Sequence, residues 1–356
     1  MSGTHERVIY PFSAIVGQEK MKTALILNAV SPTVGGVLIK GERGTAKSTA
    51  VRSLAALLPE QEVVIGCLFN CDPQIPEAMC ASCRSRNDIS ITKQKMRVVE
   101  LPVSATEDKV VGTLDIGAAI KSGDKKFEPG VLADANRNIL YVDEINLLND
   151  HIVDVLLDAA AMGVNTIERE GISYTHPSSF ILIGTMNPEE GELRPQLLDR
   201  FGLCVDIQGI SDPDIRLEII NRKMGFDDDP KGFVASWANA DKEIADRIVK
   251  AKLTLPSVKI SKDMLRVIVD LCISFDVDGH RGDIAMMKAT RALAAYEGRD
   301  QVIEADIRTA ADMVLLHRMR KTPFSNVTLD AKKISSIISN PGEHVHKHDH
   351  VHDHAH

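Results

Sequence analysis

The sequence predicts an α/β fold in which a parallel sheet is followed by a helical domain. Short apolar runs typical of buried strands occur at residues 37–39, 139–142 and 180–183. Each run leads into a polar segment, which is a glycine-rich turn, an acidic pair or an asparagine. After about Pro213 the apolar residues recur at helical spacing instead. Because open parallel sheets bind ligands at the carboxyl ends of their strands, we expect the three polar segments to form one site.

Composition excludes several classes of protein. The 356 residues are 44% hydrophobic and 26% charged, as in ordinary globular proteins. The 42 basic and 50 acidic residues give a net charge of −8, which argues against duplex nucleic acid as a partner because that binding depends on a basic surface. No long apolar run predicts a membrane span, and the first residues lack the apolar core of a secretion signal. We expect a cytoplasmic protein whose cysteines are thiols or metal ligands.

The stretch "GGVLIKGERGTAKSTAVRSLAALLP" predicts a phosphate-binding loop between the first strand and a helix. In such a loop, backbone N–H groups and the helix dipole favour an anion. Lys47 is expected to reach the outer phosphates, and the Ser48 hydroxyl to ligate Mg²⁺. Ala46 stands where glycine is usual, and alanine tolerates only part of the backbone range of glycine. The candidate nucleotide-binding residues of the loop are Gly41, Glu42, Arg43, Gly44, Thr45, Ala46, Lys47, Ser48 and Thr49.

The two later strands supply the groups that phosphoryl transfer needs. In "NRNILYVDEINLLND" the strand ends in an acidic pair, of which Asp143 is expected to hold Mg²⁺ and Glu144 to polarise the attacking water. In "SSFILIGTMNPEEG" the amide of Asn187 follows the strand and can position that water. Three such segments in this order predict an ATPase that uses ATP and Mg²⁺.

With these residues in place, the chain resembles the AAA+ superfamily of P-loop NTPases. The segment "FSAIVGQEKMKTAL", which includes Val16, looks like the adenine-side segment of that family. Arg200 in "LRPQLLDRFG" resembles the arginine finger that reaches the γ-phosphate bound by the next subunit, with Arg194 as the rival candidate. Arg281 in "DGHRGDIAMMKATRAL" resembles the sensor 2 arginine of the lid, which contacts the phosphates in cis.

A closer resemblance is to the magnesium chelatase I subunit, and it extends to about Phe324. The long stretch from "ILYVDEINLLND" to "LRPQLLDRFG" carries most of it, together with "EPGVLADANRNILYVDE", which fits the segment after the helix-2 insertion of that clade. The Ala46 variant also suits this branch of the superfamily. "NTIEREGISYTHP" is predicted to form a hairpin that turns near Glu170 and Gly171.

The resemblance divides the chain into a core, a lid and a tail. Residues 1–212 are expected to form the AAA+ nucleotide-binding core, with a cysteine-rich loop at 66–86 and the insertion at about 103–133. Residues 213–325 should form the α-helical lid and residues 326–343 a C-terminal extension. Residues 344–356 should form a disordered tail.

The family resemblance also implies an activity and partners. The I subunit forms ATP-dependent rings, usually hexameric, and works with a D subunit that has an integrin-like domain. A large H-type or cobaltochelatase-type subunit binds the porphyrin, and ATP turnover drives insertion of a divalent metal into the tetrapyrrole. Two alternatives remain open, a MoxR-type AAA+ chaperone and a helicase-like translocase, of which the net charge disfavours the second.

Four cysteines follow the first helix at close spacing. Cys67, Cys71, Cys80 and Cys83 have the pattern C-x₃-C-x₈-C-x₂-C, which closes two short loops as a tetrahedral thiolate site requires. Structural zinc is the favoured interpretation, while an iron–sulfur cluster and unligated thiols remain alternatives.

The chain closes with "HVHKHDHVHDHAH". Seven of these thirteen residues are histidine: His344, His346, His348, His350, His352, His354 and His356. An engineered tag is usually uninterrupted, although that origin stays open. Alternate imidazoles suit Ni²⁺, Co²⁺ or Zn²⁺ and suit Mg²⁺ poorly, because magnesium prefers oxygen ligands. The tail therefore raises the expectation that cobalt or nickel, rather than magnesium, is the metal delivered.

Overall fold

A computed structural model of the chain describes residues 8–42, 44–115, 126–169, 172–319 and 330–339. The strands are β1 (Val37–Gly41), β2 (Gln61–Val64), β3 (Ile91–Gln94), β4 (Val98–Leu101), β5 (Gly112–Asp115), β6 (Lys126–Pro129), β7 (Ile139–Val142), β8 (Val164–Arg169), β9 (Ile172–Pro177), β10 (Ile181–Met186) and β11 (Leu203–Ile207). Five of them form the main sheet in the order β11-β1-β10-β7-β4. All neighbours in this sheet are parallel, so the predicted parallel sheet is confirmed.

Both faces of the main sheet are buried, which explains why its strands are continuous apolar runs. Side chains alternate between the faces along each strand. Val37 and Ile39 of β1 therefore pack into one core cluster, and Leu38 packs into the other. The first cluster also contains Ile248 and Leu271, which lie far along the chain. The helical domain therefore shares a hydrophobic core with one face of the sheet.

Helices cover the sheet and make up the second half of the chain. In the first half they are α1 (Glu19–Val30), α2 (Lys47–Leu57), α3 (Ala81–Arg84), α4 (Glu107–Val111), α5 (Val131–Ala135), α6 (Asp150–Met162) and α7 (Pro195–Leu198). In the second half they are α8 (Pro213–Asp228), α9 (Pro230–Thr254), α10 (Lys262–Ser274), α11 (Arg281–Tyr296), α12 (Glu304–Val314) and α13 (Ala331–Ser339). The helical stretches predicted after Pro213 are thus present. Ser261 caps α10 by accepting a hydrogen bond from the Met264 amide at 3.1 Å.

Two antiparallel hairpins project from the core near the cysteine-rich loop. β5 pairs with β6 within the predicted insertion, although residues 116–125 between them lie outside the described part of the chain. β8 pairs with β9 over six residues on each strand, and the predicted turn at residues 170 and 171 also lies outside the described ranges. The histidine-rich segment, residues 344–356, lies outside them too. Among the described helices, none combines the length and apolar character needed to cross a bilayer.

Close backbone packing at Gly202 joins the starts of β1 and β11. The Gly202 amide donates to the Gly35 carbonyl at 3.0 Å, and a Cβ atom on Gly202 would lie 2.0 Å from the Val34 carbonyl oxygen. No side-chain rotation can relieve a contact between a Cβ atom and backbone. Glycine is therefore required for the two segments to approach this closely.

We predict that Gly202→Ala lowers the free energy of unfolding by about 3 kcal/mol, because the segment would have to move apart from Val34. Gly225→Ala in α8 is the matched control, since its Cβ atom would make only ordinary contacts at 3.5 Å with Phe233. The free energy of unfolding of that control should rise by up to about 1 kcal/mol, because alanine has a higher helix propensity than glycine. Urea denaturation measures the free energy of unfolding of both variants. Equal values for the two variants would contradict the packing argument.

Candidate nucleotide site

The predicted phosphate loop connects the end of β1 to the start of α2. Lys47 opens α2, and its ammonium donates to the carbonyls of Gly41 and Glu42, both at 2.7 Å. Gly41 is needed because a Cβ atom there would lie 2.6 Å from the Ile207 carbonyl oxygen of β11. The Thr45 hydroxyl donates to the Glu42 carbonyl at 2.9 Å. These bonds fold the loop over the end of its own strand.

The unusual alanine in this loop adopts a glycine-like conformation. Ala46 has φ 60° and ψ 19°, in the left-handed region, and it precedes the first turn of α2. Left-handed backbone costs a residue with a Cβ atom about 1–2 kcal/mol, which accounts for the usual preference for glycine. Gly44 has φ +81°, and a Cβ atom built on it would meet nothing within 4 Å. The loop is therefore open beside Gly44, and Arg43 lies outside the described residues.

The acidic pair follows β7 and is held by hydroxyl groups. Asp143 accepts a hydrogen bond from the Thr185 hydroxyl at 2.5 Å and one from the Tyr141 hydroxyl at 2.9 Å. The Thr185 oxygen also accepts from the backbone amide of Glu144 at 3.2 Å. One hydroxyl on β10 thus fixes both the carboxylate of Asp143 and the backbone of Glu144.

The position of β10 in the sheet brings the three segments together. β10 pairs with β1 on one side and with β7 on the other, so its carboxyl end lies between the loop and the acidic pair. Asn187 follows β10, is buried, and accepts a hydrogen bond from the Glu189 amide at 3.3 Å. The strand order therefore places Asn187 after the strand that lies between the other two segments.

Charge interactions independently relate Lys47 to the acidic groups. Burial lowers the pKa of the Lys47 ammonium below its ordinary value. Three carboxylates oppose that shift, and they are Asp143, Glu144 and Glu190. An ammonium and several carboxylates within electrostatic reach suit a site that binds a phosphate together with a divalent cation.

A cavity of about 870 Å³ opens beside the loop. Its walls come from the N-terminal segment, the phosphate loop, the linker after β11 and α8. The residues that line it include Tyr10, Val16, Thr49, Gly209 and Ile210, with Arg216 and Lys223 from α8. The lining combines apolar side chains, among them Val16 and Ile210, with the basic side chains of Arg216 and Lys223. The open loop, this cavity and the carboxylate groups fit MgATP, with Lys47, Ser48 and Asp143 as the residues that would hold its phosphates and cation.

The two candidate finger arginines pair with acids on α6. Arg200 forms ion pairs with Asp154 and Asp158, and the more exposed Arg194 pairs with Asp150 at 2.5 Å. Arg200 lies just before β11, at the amino edge of the sheet. The phosphate loop lies at the carboxyl edge, so Arg200 lies at the edge of the sheet opposite the nucleotide site of its own chain.

The structure corrects the expected position of Arg281. We expected this residue to contact the phosphates in cis, but its guanidinium pairs with Asp199 at 3.0 Å. Asp199 precedes Arg200 at the amino edge of the sheet, and β1 alone separates the two edges by about 16 Å. Buried Arg318 pairs with the same carboxylate at 3.3 Å and donates to the Asp199 carbonyl at 2.9 Å. In this conformation Asp199 therefore holds Arg281 at the edge of the sheet opposite the phosphate loop of its own chain, which differs from the cis position that the resemblance implied.

The four cysteines of the predicted metal site converge in a separate place. The sulfur atoms of Cys67, Cys71, Cys80 and Cys83 all lie within 4.8 Å of one another. They pack with Phe69 and neighbouring apolar side chains in a small core of their own. The predicted histidine ligands of the tail, His344 to His356, lie outside the described residues.

Sequence reasoning missed Thr185 and Arg318. Thr185 is a polar residue in an otherwise apolar run, two positions before Asn187, and that exception was the available signal. Arg318 carried no comparable signal, because burial of its guanidinium depends on the lid packing against the segment before β11. Burial lowers the pKa of Arg318 to about 10, and several backbone carbonyls accept its hydrogen bonds.

Comparison with family models identifies two regions of the chain. Residues 86–201 match an AAA domain of the dynein-related subfamily, and residues 265–337 match an AAA lid domain. The core and the helical second half therefore both correspond to AAA modules.

Curated relatives match nearly the whole chain. The magnesium-chelatase subunit ChlI homolog of Methanocaldococcus jannaschii is 55% identical over 334 residues, which cover 93% of this chain and 91% of that protein. The magnesium-chelatase subunit ChlI of Synechocystis sp. is 50% identical over 330 residues, which cover 92% of each chain.

Solved structures share the fold. One is described as the complex between subunits BchI and BchD of magnesium chelatase, and its matching chain is 48% identical with a TM-score of 0.55. The match covers 89% of this chain and 98% of that one. A putative ATPase from Cytophaga hutchinsonii is similar in fold alone, at 18% identity and a TM-score of 0.56, over 86% of this chain and 84% of its own.

We predict that Thr185→Val lowers the rate of ATP hydrolysis by about 10- to 100-fold, because Asp143 and the Glu144 amide lose the hydroxyl that positions them. Valine has nearly the shape of threonine, so the strand should remain folded. Thr175→Val is the matched control, because the Thr175 hydroxyl bonds to the Thr166 hydroxyl across an exposed strand pair at 3.0 Å. Steady-state hydrolysis at saturating Mg²⁺ measures the effect, and turnover within twofold of the unmodified chain would show that the hydroxyl is not needed.

Proposed function

The chain belongs to the family of magnesium-chelatase I subunits, which are AAA+ ATPases, and on that premise we propose that it is the ATP-hydrolysing motor of a metal chelatase. The observation that carries the proposal is that Lys47, Asp143 and Asn187 follow β1, β7 and β10, which are neighbouring parallel strands of one sheet. Two relatives, which are 55% and 50% identical over 93% and 92% of this chain, are named as magnesium-chelatase subunits. The proposed product of the complex is a tetrapyrrole that holds a divalent metal.

The chemistry assigned to the site follows from the positions of its side chains. ATP supplies the phosphoryl group and Mg²⁺ screens its charge. The loop amides and Lys47 bind the phosphates, while Ser48 and Asp143 are the cation ligands. Glu144 accepts a proton from the attacking water, a role that typically contributes about 10²–10⁴-fold in rate. Asn187 orients that water from its buried position after β10.

We assign Arg200 and Arg281 to the nucleotide site of a neighbouring subunit. Arg200 follows Asp199 in the chain and Arg281 pairs with its carboxylate, so both lie at the amino edge of the sheet, while the phosphate loop lies at the carboxyl edge. A head-to-tail ring brings opposite edges of adjacent copies together. In that arrangement the two arginines complete the site of the next chain, where positive charge at the transferred phosphoryl group has a large effect on rate. A hexamer is the proposed ring size, by the family resemblance.

The proposed partners are a D-type subunit and a large H-type or cobaltochelatase-type subunit. The D-type partner is supported by the related BchI chain, whose structure is described as a complex with BchD. The tetrapyrrole is assigned to the large subunit. We also propose that the cysteine cluster holds zinc, which nucleotide chemistry does not require.

A more specific proposal concerns the metal that is inserted, and it is based on the histidine-rich tail. Seven histidines in residues 344–356 suit Ni²⁺ or Co²⁺ better than Mg²⁺. We propose that the tail holds such an ion for delivery, and that the ATPase site needs only Mg²⁺ as the counter-ion of ATP. Deleting residues 344–356 should then leave ATP hydrolysis unchanged.

Reconstitution tests the function and the metal together. The chain is combined with its D-type and large subunits, and insertion of Mg²⁺, Co²⁺ and Ni²⁺ into porphyrin and corrin-type macrocycles is followed by absorbance. We expect ATP-dependent insertion of one of these ions, and weaker insertion of Co²⁺ or Ni²⁺ at limiting metal when residues 344–356 are deleted. ATP hydrolysis without insertion of any ion would contradict the chelatase proposal and favour a MoxR-type chaperone. Equal insertion with and without the tail would contradict only the delivery proposal.

A further inference from the structure

The four cysteine sulfurs have the spacing of ligands to a single ion. Every pair lies within 4.8 Å, and the Cys67 and Cys80 sulfurs are 3.9 Å apart. A tetrahedral zinc site places sulfurs about 2.3 Å from the metal and therefore about 3.8 Å from one another. A disulfide would instead require about 2.05 Å between two sulfurs. In a cluster of several irons the thiolates bind different metal atoms and lie farther apart, so the compact arrangement favours one ion.

Backbone amides are directed at three of these sulfurs. The Phe69 amide donates to Cys67 at 3.3 Å, the Cys80 amide to Cys71 at 3.1 Å, and the Cys83 amide to Cys80 at 3.4 Å. Such N–H donors favour the thiolate form, which is the form that binds metal. Three of the four cysteines are buried, where thiolates would repel one another without a cation.

We propose that Cys67, Cys71, Cys80 and Cys83 bind one zinc ion that braces the bases of the β5–β6 and β8–β9 hairpins. The bracing role does not depend on ATP hydrolysis, since no residue of the nucleotide site takes part.

A stack of rings connects the cysteine loop to both hairpins. Phe69, whose amide bonds to Cys67, stacks on His176 of β9 with ring centroids 4.7 Å apart. Phe127 of β6 stacks on Tyr174 of β9 at 4.5 Å and lies 6.1 Å from Phe69. Beyond the rings, His176 contacts Asn165 of β8 at 3.0 Å. A metal ion that fixes Cys67 therefore fixes the ring on which strands from both hairpins pack.

The same loop is fastened to the start of β7. The Asn136 side chain donates to the Phe69 carbonyl at 2.5 Å and accepts from the Ser179 amide at 2.8 Å. Arg137 pairs with Asp72 at 2.8 Å. These contacts hold the Phe69 carbonyl and Asp72 at the start of β7 without metal, whereas the Phe69 amide is held by the Cys67 sulfur and the Cys80 segment contacts the Cys67 and Cys71 sulfurs. Loss of metal should therefore free the Cys67 side of Phe69, loosen the packing of the hairpins on its ring, and leave the main sheet intact.

Metal content and spectra test the site itself. We compare the full chain with the Cys80→Ser, Cys83→Ser double variant, and with Cys204→Ala as a control at a buried cysteine outside the cluster. Elemental analysis should show that the unmodified chain and the control each hold about one more zinc ion per chain than the double variant does. The histidine tail is present in all three, so the difference counts the cluster. Cobalt substitution should add thiolate-to-cobalt charge-transfer absorption only in the unmodified chain and the control. Equal metal content in all three, or iron with acid-labile sulfide, would overturn the zinc assignment.

Hydrogen exchange tests the bracing role without relying on a variant that fails to fold. Removing zinc from the unmodified chain with a chelator should speed amide exchange in β6, β8 and β9 by at least about tenfold, while α2 is unchanged. Phe69→Leu should keep the metal and still speed exchange in β8 and β9, because only the ring contact is lost. Zinc removal that leaves the hairpins equally protected would overturn the bracing role.

Discussion

The order of strands in the parallel sheet is the constraint on which the rest of this structure depends. With β10 between β1 and β7, one hydroxyl on β10 reaches Asp143 at 2.5 Å and the Glu144 amide at 3.2 Å. The same order places Asn187 between the phosphate loop and the acidic pair. Hydrogen bonds to the Asp143 carboxylate orient it before a ligand arrives, so the site is preorganised by the sheet and not by flexible side chains.

The opposite edge of the sheet carries a second group of charges, organised by Asp199. This carboxylate pairs with exposed Arg281 at 3.0 Å and with buried Arg318 at 3.3 Å, and it precedes Arg200 in the chain. A buried arginine needs a charged partner and acceptors for its donors. The two terminal nitrogens of Arg318 donate to carbonyls that include those of Asp199 and Phe201, and its Nε lies 3.3 Å from the Asp199 carboxylate. The lid is thereby fixed to the core at the edge that presents Arg200. One chain thus carries its phosphate loop and its candidate finger on opposite sides.

Local chemistry made much of this predictable from sequence. The apolar runs and the polar residues after them predicted β1, β7 and β10, and helical periodicity predicted α8 to α12. The cysteine spacing predicted a cluster that the structure brings within 4.8 Å. The position of Arg281 was not predictable, because it depends on how the lid packs against the core. The apolar face of a lid helix does not indicate which edge of the sheet that helix will contact. The role of Thr185 likewise depends on which strand lies beside β7.

The central claim is that each active site combines Glu144 of one chain with Arg200 of the next. Glu144→Gln and Arg200→Ala chains, each expected to lose at least about 100-fold in ATP hydrolysis, are co-expressed with different tags, and mixed assemblies are purified through both. Random mixing makes about a quarter of the interfaces complete, so ATP hydrolysis should recover well above that of either variant alone. A control mixture of Glu144→Gln with the double variant should stay inactive. Mixed assemblies no more active than the single variants would show that both residues serve the same chain and would contradict the account.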